Sequence, residues 1–524
     1  MSMTDTTIAA LPASDSASEA RFRSEMGQIS KQSSVYLAGM LFTTAVGYFF
    51  KIYVARMLGA GALGIYALGM TLVGFLGLFN GLGIPQTAVR FVAAYSATRQ
   101  YDRLHVFLRR AIGVLTALNI VLVIAMIQLG PWLVRRLYHD PELIPYLPLF
   151  GAILVVGALG GFFGQVLAGY KDVALRTVIT NFIATPVNVL LGLVLLSAGL
   201  GLRGYVLAQI ASGTVGLCLL LAAAWKLTPL PARHAPAAPV VLETDVYRFS
   251  AAVLGVSFLE FLLSQVDKII LGAFSDVQHV GVYAVAVSLV AFVPITLQSV
   301  NQIFSPVIAD LHARGEHALL NRLFQTATKW IIGFTLPLAF IVMIYSKPLM
   351  LLFGSSFEAG WTVLVIGTLG QLVNAGVGSV GYLLLMSGNQ IRLVRVQAMM
   401  AVLVVAVTLA LVKPFGISGV ACAGAVTNAA TNYLCLREVR KALGLSPYNR
   451  TYLYLIPPAI ATLGVAFLVK FAAAHFQLQW VWIVVALVMS YATFAGLCLL
   501  FGLDNDDKMI LNAVKSRIRG LVRR

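Results

Sequence analysis

The chain has 524 residues, of which 59% are hydrophobic and only 11% carry a charge. Soluble domains contain about 25% charged residues, so this composition excludes an ordinary soluble protein and predicts a helical membrane protein with many spans. The net charge of +17 suits contact with either nucleic acid or anionic lipid, and the distribution of the basic residues distinguishes the two.

Fourteen hydrophobic segments are long enough to cross a bilayer, which takes about 20 residues of helix. We predict that all are helices, because only a helix or a closed barrel satisfies its own backbone hydrogen bonds in lipid. The predicted fold is an all-α polytopic membrane protein with 14 transmembrane helices. The segments lie near residues 33–55, 62–84, 111–133, 147–169, 177–199, 204–225, 250–273, 280–303, 330–352, 361–386, 397–413, 417–435, 452–473 and 480–502.

The first twelve segments form two six-helix blocks that repeat each other. Leu58-Gly59 recurs as Leu271-Gly272 at an offset of 213 residues, and Gly64-Ile-Tyr66 recurs as Gly281-Val-Tyr283 at an offset of 217. Because each block has an even number of spans, we expect parallel repeats, with the site near the membrane midplane where the two blocks face each other. The predicted divisions are a disordered or amphipathic amino-terminal segment (1–30), an N-lobe (31–226), a cytoplasmic linker (227–247), a C-lobe (248–441), two extra helices (442–503) and a basic tail (504–524).

The basic residues are distributed very unevenly between the two sides of the predicted membrane. The two chain ends and the loops that follow even-numbered spans hold 28 of the 37 Lys and Arg, whereas the opposite loops hold six. Positive charge is retained on the cytoplasmic side, so both termini are predicted to be cytoplasmic. The net charge is then explained by topology and by contact with anionic lipids, and no nucleic-acid partner is expected.

Motifs for covalent chemistry are absent, with one misleading exception. Gly59-Ala-Gly61-Ala-Leu-Gly64 spells G-x-G-x-x-G, but here it joins two predicted membrane helices instead of a strand and a helix, so we interpret it as a tight turn. The chain contains no Gly-Lys dipeptide and no His-Glu-x-x-His, Cys-x-x-Cys or Gly-x-Ser-x-Gly motif. We therefore predict no cofactor, no metal and no ATP hydrolysis. The four cysteines fit small core side chains rather than a disulfide frame.

Polar residues inside the predicted spans are the candidates for binding substrate. A charge within a span costs about 2.5–3.5 kcal/mol on insertion scales, and such residues usually face a cavity or one another. Glu260 and Asp267 are seven residues apart and so share one helix face. The candidate substrate-binding residues are Lys51, Asn80, Gln86, Arg90, Glu260, Asp267, Lys268, Asn301, Gln302, Gln371 and Asn374.

Structural alternatives exist for these residues. Asp267 and Lys268 could lie near the outer interface or pair with Lys51, and Lys51 itself could extend to the interface. Arg90 fits an ordinary cytoplasmic charge. The amides could form hydrogen bonds between helices, and the pairs Gly77/Gly81 and Gly160/Gly164 predict close helix packing.

With these residues in view, the chain resembles the multidrug/oligosaccharidyl-lipid/polysaccharide flippase superfamily, and within it the Wzx-type polysaccharide transporter branch. The resemblance covers roughly residues 31 to 440. The residues that carry it are Ala55-Arg56-Met-Leu-Gly59, Gly64-Ile-Tyr66, Gly81-Leu-Gly83 with Arg90, Asp267-Lys-Ile-Ile-Leu-Gly272, Gly281-Val-Tyr283, Ser305-Pro306, Leu352-Phe-Gly354 with Phe357, and Ser387-Gly388-Asn389.

This resemblance implies a V-shaped, two-lobed carrier of the bacterial cytoplasmic (inner) membrane. Such a carrier flips an undecaprenyl-pyrophosphate-linked oligosaccharide repeat unit from the inner to the outer leaflet by alternating access, for surface polysaccharide biosynthesis. It also implies a possible coupling ion, H⁺ or Na⁺, and a polysaccharide polymerase or export machinery as partner.

Three alternatives remain open at this point. The first is an ion-coupled exporter of small cations, like the multidrug branch, with Glu260 and Asp267 as its carboxylates. The second is a lipid II flippase, which uses a cluster of cavity arginines where this chain offers only Lys51, Arg56 and Arg90. The third is a membrane enzyme such as a polysaccharide polymerase or ligase, although the chain lacks the large outer loop expected of one.

Overall fold

The computed structural model of the chain describes residues 13–80, 84–138, 140–233, 244–473 and 479–500. These residues are almost entirely helical, and no strand occurs among them. The all-α prediction is confirmed. The predicted basic tail (504–524) lies outside the described residues.

Helices of the first half are long and apolar, as segments that satisfy their backbone in lipid must be. Helix α1 begins at Ala13, inside the segment predicted to be disordered. A 3₁₀ turn (Pro141–Tyr146) precedes α4, and a π-helix (Val178–Ala184) follows α5. The helices are α1 (Ala13–Phe79), α2 (Ile84–Ala97), α3 (Tyr101–Leu137), α4 (Leu147–Gly169), α5 (Val173–Thr177), α6 (Thr185–Ser197), α7 (Gly201–Leu227) and α8 (Leu230–Arg233).

Helices of the second half continue this pattern. Two further 3₁₀ turns, Ser355–Gly360 and Arg450–Leu455, precede α14 and α17. The helices are α9 (Thr244–Phe274), α10 (Val277–Val290), α11 (Ile295–Ala313), α12 (His317–Ile344), α13 (Ser346–Leu351), α14 (Trp361–Val377), α15 (Val380–Met386), α16 (Gln390–Leu443), α17 (Ile456–Ala473) and α18 (Gln479–Leu500).

Ten of the described helical segments are long and apolar enough to cross a membrane, and there are eleven if the bent pair α10–α11 counts as one span. Two of the ten contain a glycine with a non-helical backbone, Gly59 in α1 and Gly416 in α16, where two helices meet at a kink. The protein therefore has many membrane spans, while the count of fourteen stays a prediction.

The described residues divide into two compact units. The first comprises those of Met1–Val54, Leu76–Gln128 and Tyr146–Leu254. An aromatic core joins its α2, α3 and α4, where the Phe91 and Phe107 rings lie 5.9 Å apart between centroids. Burial of such rings against neighbouring helices fixes how the helices pack.

The second unit comprises the described residues of Ala55–Phe75, Leu129–Pro145 and Gly255–Arg524. One of its cores joins α11, α12, α15 and α16, with Phe324 completely buried. Helices α17 and α18 pack on α12, where the Lys470 ammonium donates to the Ile344 carbonyl at 2.8 Å. That hydrogen bond satisfies a carbonyl in the last turn of α12, where the helix itself supplies no N–H donor.

The glycine-rich motif in α1 forms a turn, as predicted. Gly59 has φ +74°, a conformation that only glycine adopts at little cost, and no strand precedes it. The motif therefore lies at a kink where two helices meet, and it has none of the context of a dinucleotide site.

A backbone-to-backbone helix contact lies just beyond this turn, within the second unit. A Cβ built on Gly64 would collide with the Val277 carbonyl oxygen, and one built on Gly281 would collide with that of Ala60. Two helices approach backbone to backbone here because neither has a side chain in the way.

Close packing is absent at two glycines where the sequence predicted it. Nothing described lies within 4 Å of a Cβ built on Gly77 or Gly160, so the prediction is wrong there. Spacing alone does not reveal which face of a helix has a neighbour. Gly164 does have a close neighbour, the Arg176 side chain. A Cβ on residue 164 would lie 3.1 Å from Arg176 Nε, so glycine leaves the space that the arginine occupies.

Candidate transport site

The first unit holds four of the predicted site residues. Lys51 lies half-buried in α1, and Asn80 follows that helix, with its carbonyl accepting from Asn119 Nδ2 at 3.0 Å. Arg90 is exposed in α2, and its guanidinium carbon lies 5.6 Å from the centroid of its neighbour's ring, Phe91. Gln86 also belongs to α2, and its side chain lies outside what the structure describes.

The second unit brings Asp267 into a hydrogen-bonded group. The Tyr283 hydroxyl donates to Asp267 Oδ2 at 2.8 Å, and the Lys268 backbone N–H donates to Oδ1 at the same distance. The Lys268 ammonium donates to Gln265 Oε1 at 2.8 Å. Tyr283 is 3% exposed, so α10 supplies Asp267 with a buried donor. Glu260 is exposed on the same helix, seven residues earlier.

The amides of the second unit differ in how well they are satisfied. Asn374 Nδ2 donates to Gln371 Oε1 at 3.1 Å within α14, and Gln302 is exposed in α11. Asn301 is 7% exposed, and its Oδ1 has no partner among the described residues. Buried polar atoms almost always have a partner, so this oxygen marks a place suited to water or to a ligand hydroxyl.

Two of the predicted cations lie one in each block, at positions that do not correspond. Lys268 follows Lys51 by 217 residues, whereas the offset on these two spans is 213, between Gly59 and Gly272. Both lysines are half-buried. Each block therefore contributes one partly desolvated ammonium group.

Span five contains a polar feature that the sequence interpretation missed. The π-helix Val178–Ala184 lies directly before Thr185 and Pro186. Pro186 has no N–H to donate to the carbonyl four residues earlier, which disrupts a regular helix. The Thr185 hydroxyl donates instead to the Thr180 carbonyl at 3.2 Å. Turns of π-helix are rare in proteins, and those that occur are often found at functional sites.

Two unsatisfied oxygens lie on the helices that meet at this feature. Thr43 Oγ1 in α1 and Asn188 Oδ1 in α6 are buried without a partner among the described residues. Aromatic stacking joins α1 to the π-helix nearby, with the rings of Phe42 and Phe182 5.2 Å apart. The signal in the sequence was the run of Thr and Asn between Thr177 and Asn188, none of which is among the predicted site residues.

A further cation lies at the start of span five. Arg176 is half-buried and donates from Nη1 to Gln165 Oε1 at 3.4 Å, beside the space left by Gly164. By contrast, Arg56 has a structural role, because its Nε donates to the Leu352 carbonyl at 2.8 Å within the second unit. Among the described residues no three His, Cys, Asp or Glu side chains come close enough to hold a metal.

Comparison with solved structures shows which fold the chain has. The lipid II flippase MurJ, in an inward closed conformation, matches with a TM-score of 0.69 at 13% identity, covering 89% of this chain and 98% of that one. A multidrug resistance MATE family transporter of the MOP superfamily, inward-facing, matches with 0.63 at 16%, covering 78% and 98%. The Vibrio cholerae MATE transporter VcmN in its bent form matches with 0.52 at 17%, covering 80% and 98%. The fold is that of these multi-pass membrane transporters.

Comparison with protein families narrows the class. The family model described as polysaccharide biosynthesis protein matches residues 29–312, more than half of the chain, and the MatE model matches residues 252–413. No curated protein sequence matches. The chain belongs to the polysaccharide biosynthesis protein family, and the predicted membership of the flippase superfamily is confirmed.

Proposed function

We propose that this protein flips an undecaprenyl-pyrophosphate-linked oligosaccharide repeat unit from the inner to the outer leaflet of the bacterial cytoplasmic membrane. The observation that carries the proposal is the polysaccharide family match over residues 29–312 in a chain with a transporter fold. The product would serve surface polysaccharide such as O-antigen, exopolysaccharide or capsule. The termini would be cytoplasmic, in contact with anionic lipids, and a polysaccharide polymerase would accept the unit outside.

The physical task explains why a polar path is needed. Each hydroxyl of the sugar head costs several kcal/mol when it enters hydrocarbon without a hydrogen-bond partner, so unaided flipping is negligible. A path that opens first to the cytoplasm and then outward removes this barrier without covalent chemistry. An inside-negative potential adds about 2.3 kcal/mol per charge per 100 mV for the outward movement of the pyrophosphate anion.

The described residues supply groups suited to both parts of such a substrate. Lys51 and Lys268 are half-buried cations that would attract the pyrophosphate, and Arg176 is a third. The unsatisfied oxygens of Asn301 and Asn188 are acceptors that would receive sugar hydroxyls. Partly desolvated cations interact with anions more strongly than exposed ones, because less water screens them.

The test is deletion of the gene in its host, followed by complementation. We expect the deletion strain to lose surface polysaccharide and to accumulate lipid-linked precursor in the inner leaflet, and the intact gene to restore export. Normal polysaccharide in the deletion strain would refute the proposal. In reconstituted vesicles, the purified protein should move a labelled lipid-linked oligosaccharide without nucleotide.

A second candidate function is ion-coupled export of small cations. The MatE match over residues 252–413 includes Asp267, whose carboxylate is held by Tyr283. If this function is correct, Asp267→Asn should abolish resistance to cationic drugs while polysaccharide export continues. If the flippase proposal is correct, drug resistance should not change. A coupling ion, H⁺ or Na⁺, would show in either case as a dependence of transport on its gradient.

A further inference from the structure

A cavity of about 360 Å³ lies in the second unit, where the chain that follows α3 meets the turn between α9 and α10. Small-molecule sites typically measure about 300–1,000 Å³. Tyr138 and Asp140 line one side, and Phe274, Ser275 and Asp276 line the other. None of the predicted transport residues lines it. The cavity is therefore a separate candidate for a ligand.

Hydrogen-bond acceptors dominate the lining. Helix α9 ends at Phe274, so the carbonyls of its last turn have no donors from the helix, and a helix carboxyl end carries partial negative charge. Asp276 is exposed, and its carboxylate does not cap α10. Asp140 accepts from the Glu142 backbone N–H through Oδ1 at 2.9 Å, which leaves Oδ2 available.

Tyr138 adds a hydroxyl to this lining. The residue is 5% exposed, and its hydroxyl has no hydrogen bond with any described residue. Its ring lies against Gly272, where a Cβ would come within 3.0 Å of it. Burial raises the pKa of Tyr138 to about 12. A hydroxyl that lines a cavity without a protein partner can form a hydrogen bond with a ligand's polar group.

The neighbouring cations do not neutralise the lining. The Lys413 ammonium lies 5.3 Å from the centroid of the Phe274 ring, and the Arg136 guanidinium carbon lies 5.4 Å from that of Trp132. Neither cation lines the cavity. Mg²⁺ usually binds through one or two carboxylates and several waters, so competition with Mg²⁺ is the measurement that separates a metal from an organic cation here.

We propose that this cavity binds a small organic cation with primary ammonium groups, which would donate to Asp140, Asp276, Tyr138 and the carbonyls that end α9. Ammonium groups fit because they supply several N–H donors and a positive charge to a site rich in acceptors. In the proposed orientation the cavity opens on the outer side of the membrane. Binding itself does not depend on what the carrier transports.

The test uses the full-length protein in detergent micelles, titrated with spermidine by isothermal calorimetry. We expect saturable binding to the unmodified protein. Asp140→Asn and Asp276→Asn should each weaken it about tenfold, or about 1.4 kcal/mol. Tyr138→Phe should weaken it by a smaller factor. Glu142→Gln is the matched control, because it removes the same charge from the same loop outside the lining, and it should leave the affinity unchanged.

Ligand controls separate a specific site from general charge attraction. Tetramethylammonium, which has the charge but no N–H donor, should bind more weakly than spermidine, and millimolar Mg²⁺ should not displace spermidine. Absence of binding, equal loss in Glu142→Gln, or full displacement by Mg²⁺ would each overturn the proposal. Asp276 is exposed, so its variant keeps the test informative if changes at Tyr138 or Asp140 impair folding.

Discussion

At the scale of single residues, Asn301 offers the sharpest distinction between a structural and a transport role. Its buried Oδ1 has no donor among the described residues, and leaving such an atom unpaired costs about 1–3 kcal/mol. An amide with only a structural role would gain no stability from an unpaired oxygen. An amide that binds substrate would benefit from it, because a hydroxyl of the substrate supplies the missing donor in each cycle.

We predict that Asn301→Leu reduces polysaccharide export by at least tenfold while the thermal unfolding midpoint stays equal or rises. The stability follows because the substitution removes an unpaired acceptor at similar volume. Export in the deletion strain and unfolding in micelles are the two measurements. Gln302→Leu, at the exposed neighbour, is the control and should export normally. A lower midpoint with export unchanged would show that Asn301 is structural.

The second prediction concerns the positive charges of Lys51 and Lys268. We expect Lys51→Gln and Lys268→Gln each to lower transport of the pyrophosphate-linked substrate by about tenfold, since each loses one partly buried cation. Lysine-to-arginine variants should recover part of the activity, because the charge remains. Lys347→Gln is the control, since Lys347 is exposed and paired with Glu358 at 3.8 Å. Equal activity in the Gln and Arg variants would contradict a role for charge.

Residue chemistry was partly predictable from the sequence. Asp267 stood out as a charge within a span, but its partner Tyr283 did not, because the pairing depends on how α9 and α10 pack. Asn188 was missed because an amide in an apolar run has no distinctive spacing. Its importance comes from burial without a partner, which only three-dimensional structure reveals.

At the scale of elements, the approach of the helices at Gly64 and Gly281 is the feature most sensitive to one added carbon. We predict that Gly64→Ala and Gly281→Ala each lower the unfolding midpoint, because overpacking costs about 1–3 kcal/mol and the obstacle is a backbone carbonyl. If the helix contact at Gly64 and Gly281 must form in every transport cycle, export should fall as well. Thermal unfolding in micelles and export in the deletion strain check this.

Gly61→Ala is the matched control for the glycine contact. A Cβ at Gly61 meets nothing described within 4 Å, and alanine is favoured over glycine in a helix by about 1 kcal/mol. The control should therefore keep or raise the midpoint, opposite in sign to the two test variants. A lower midpoint in all three would mean that the whole turn tolerates no change, rather than that the contact is special.

Elements with a local chemical cause were predictable, and those set by packing were not. The turn at Gly59 was predicted because a run of three glycines and two alanines joins two apolar segments, and Gly59 adopts the expected positive φ. The π-helix before Pro186 was not predicted, because most proline-containing spans form only a kink. The glycine spacings were misassigned because Gly77 and Gly160 face open space.

At the scale of the whole molecule, the helical membrane class followed directly from 59% hydrophobic and 11% charged residues. Composition predicts class because lipid permits so few backbone arrangements. The number of spans was harder, because kinked helices such as α1 and α16 merge two hydrophobic segments into one. The transported molecule depends on the arrangement of a few polar groups, which composition does not constrain.

Orientation in the membrane provides a prediction for the whole chain. Reporter fusions at the carboxyl terminus and after Lys226 should report the cytoplasm, and fusions after Asp140 should report the outside, because the predicted topology places 28 of the 37 basic residues on the first side. Moving basic residues into the loop around Asp140 should lower the outside signal of that fusion. The reverse pattern in the unmodified fusions would overturn the assigned topology and, with it, the direction of transport.

The pair of contacts at Gly64 and Gly281 also bears on how the chain arose. Gly64 meets Val277 and Gly281 meets Ala60, and a shift of 217 residues converts either contact into the other. Reciprocal contact of this kind is isologous, the mark of a two-fold symmetric homodimer. If the two blocks arose by duplication, a six-helix ancestor that paired with itself through this glycine would have passed both halves of its interface to the fused chain.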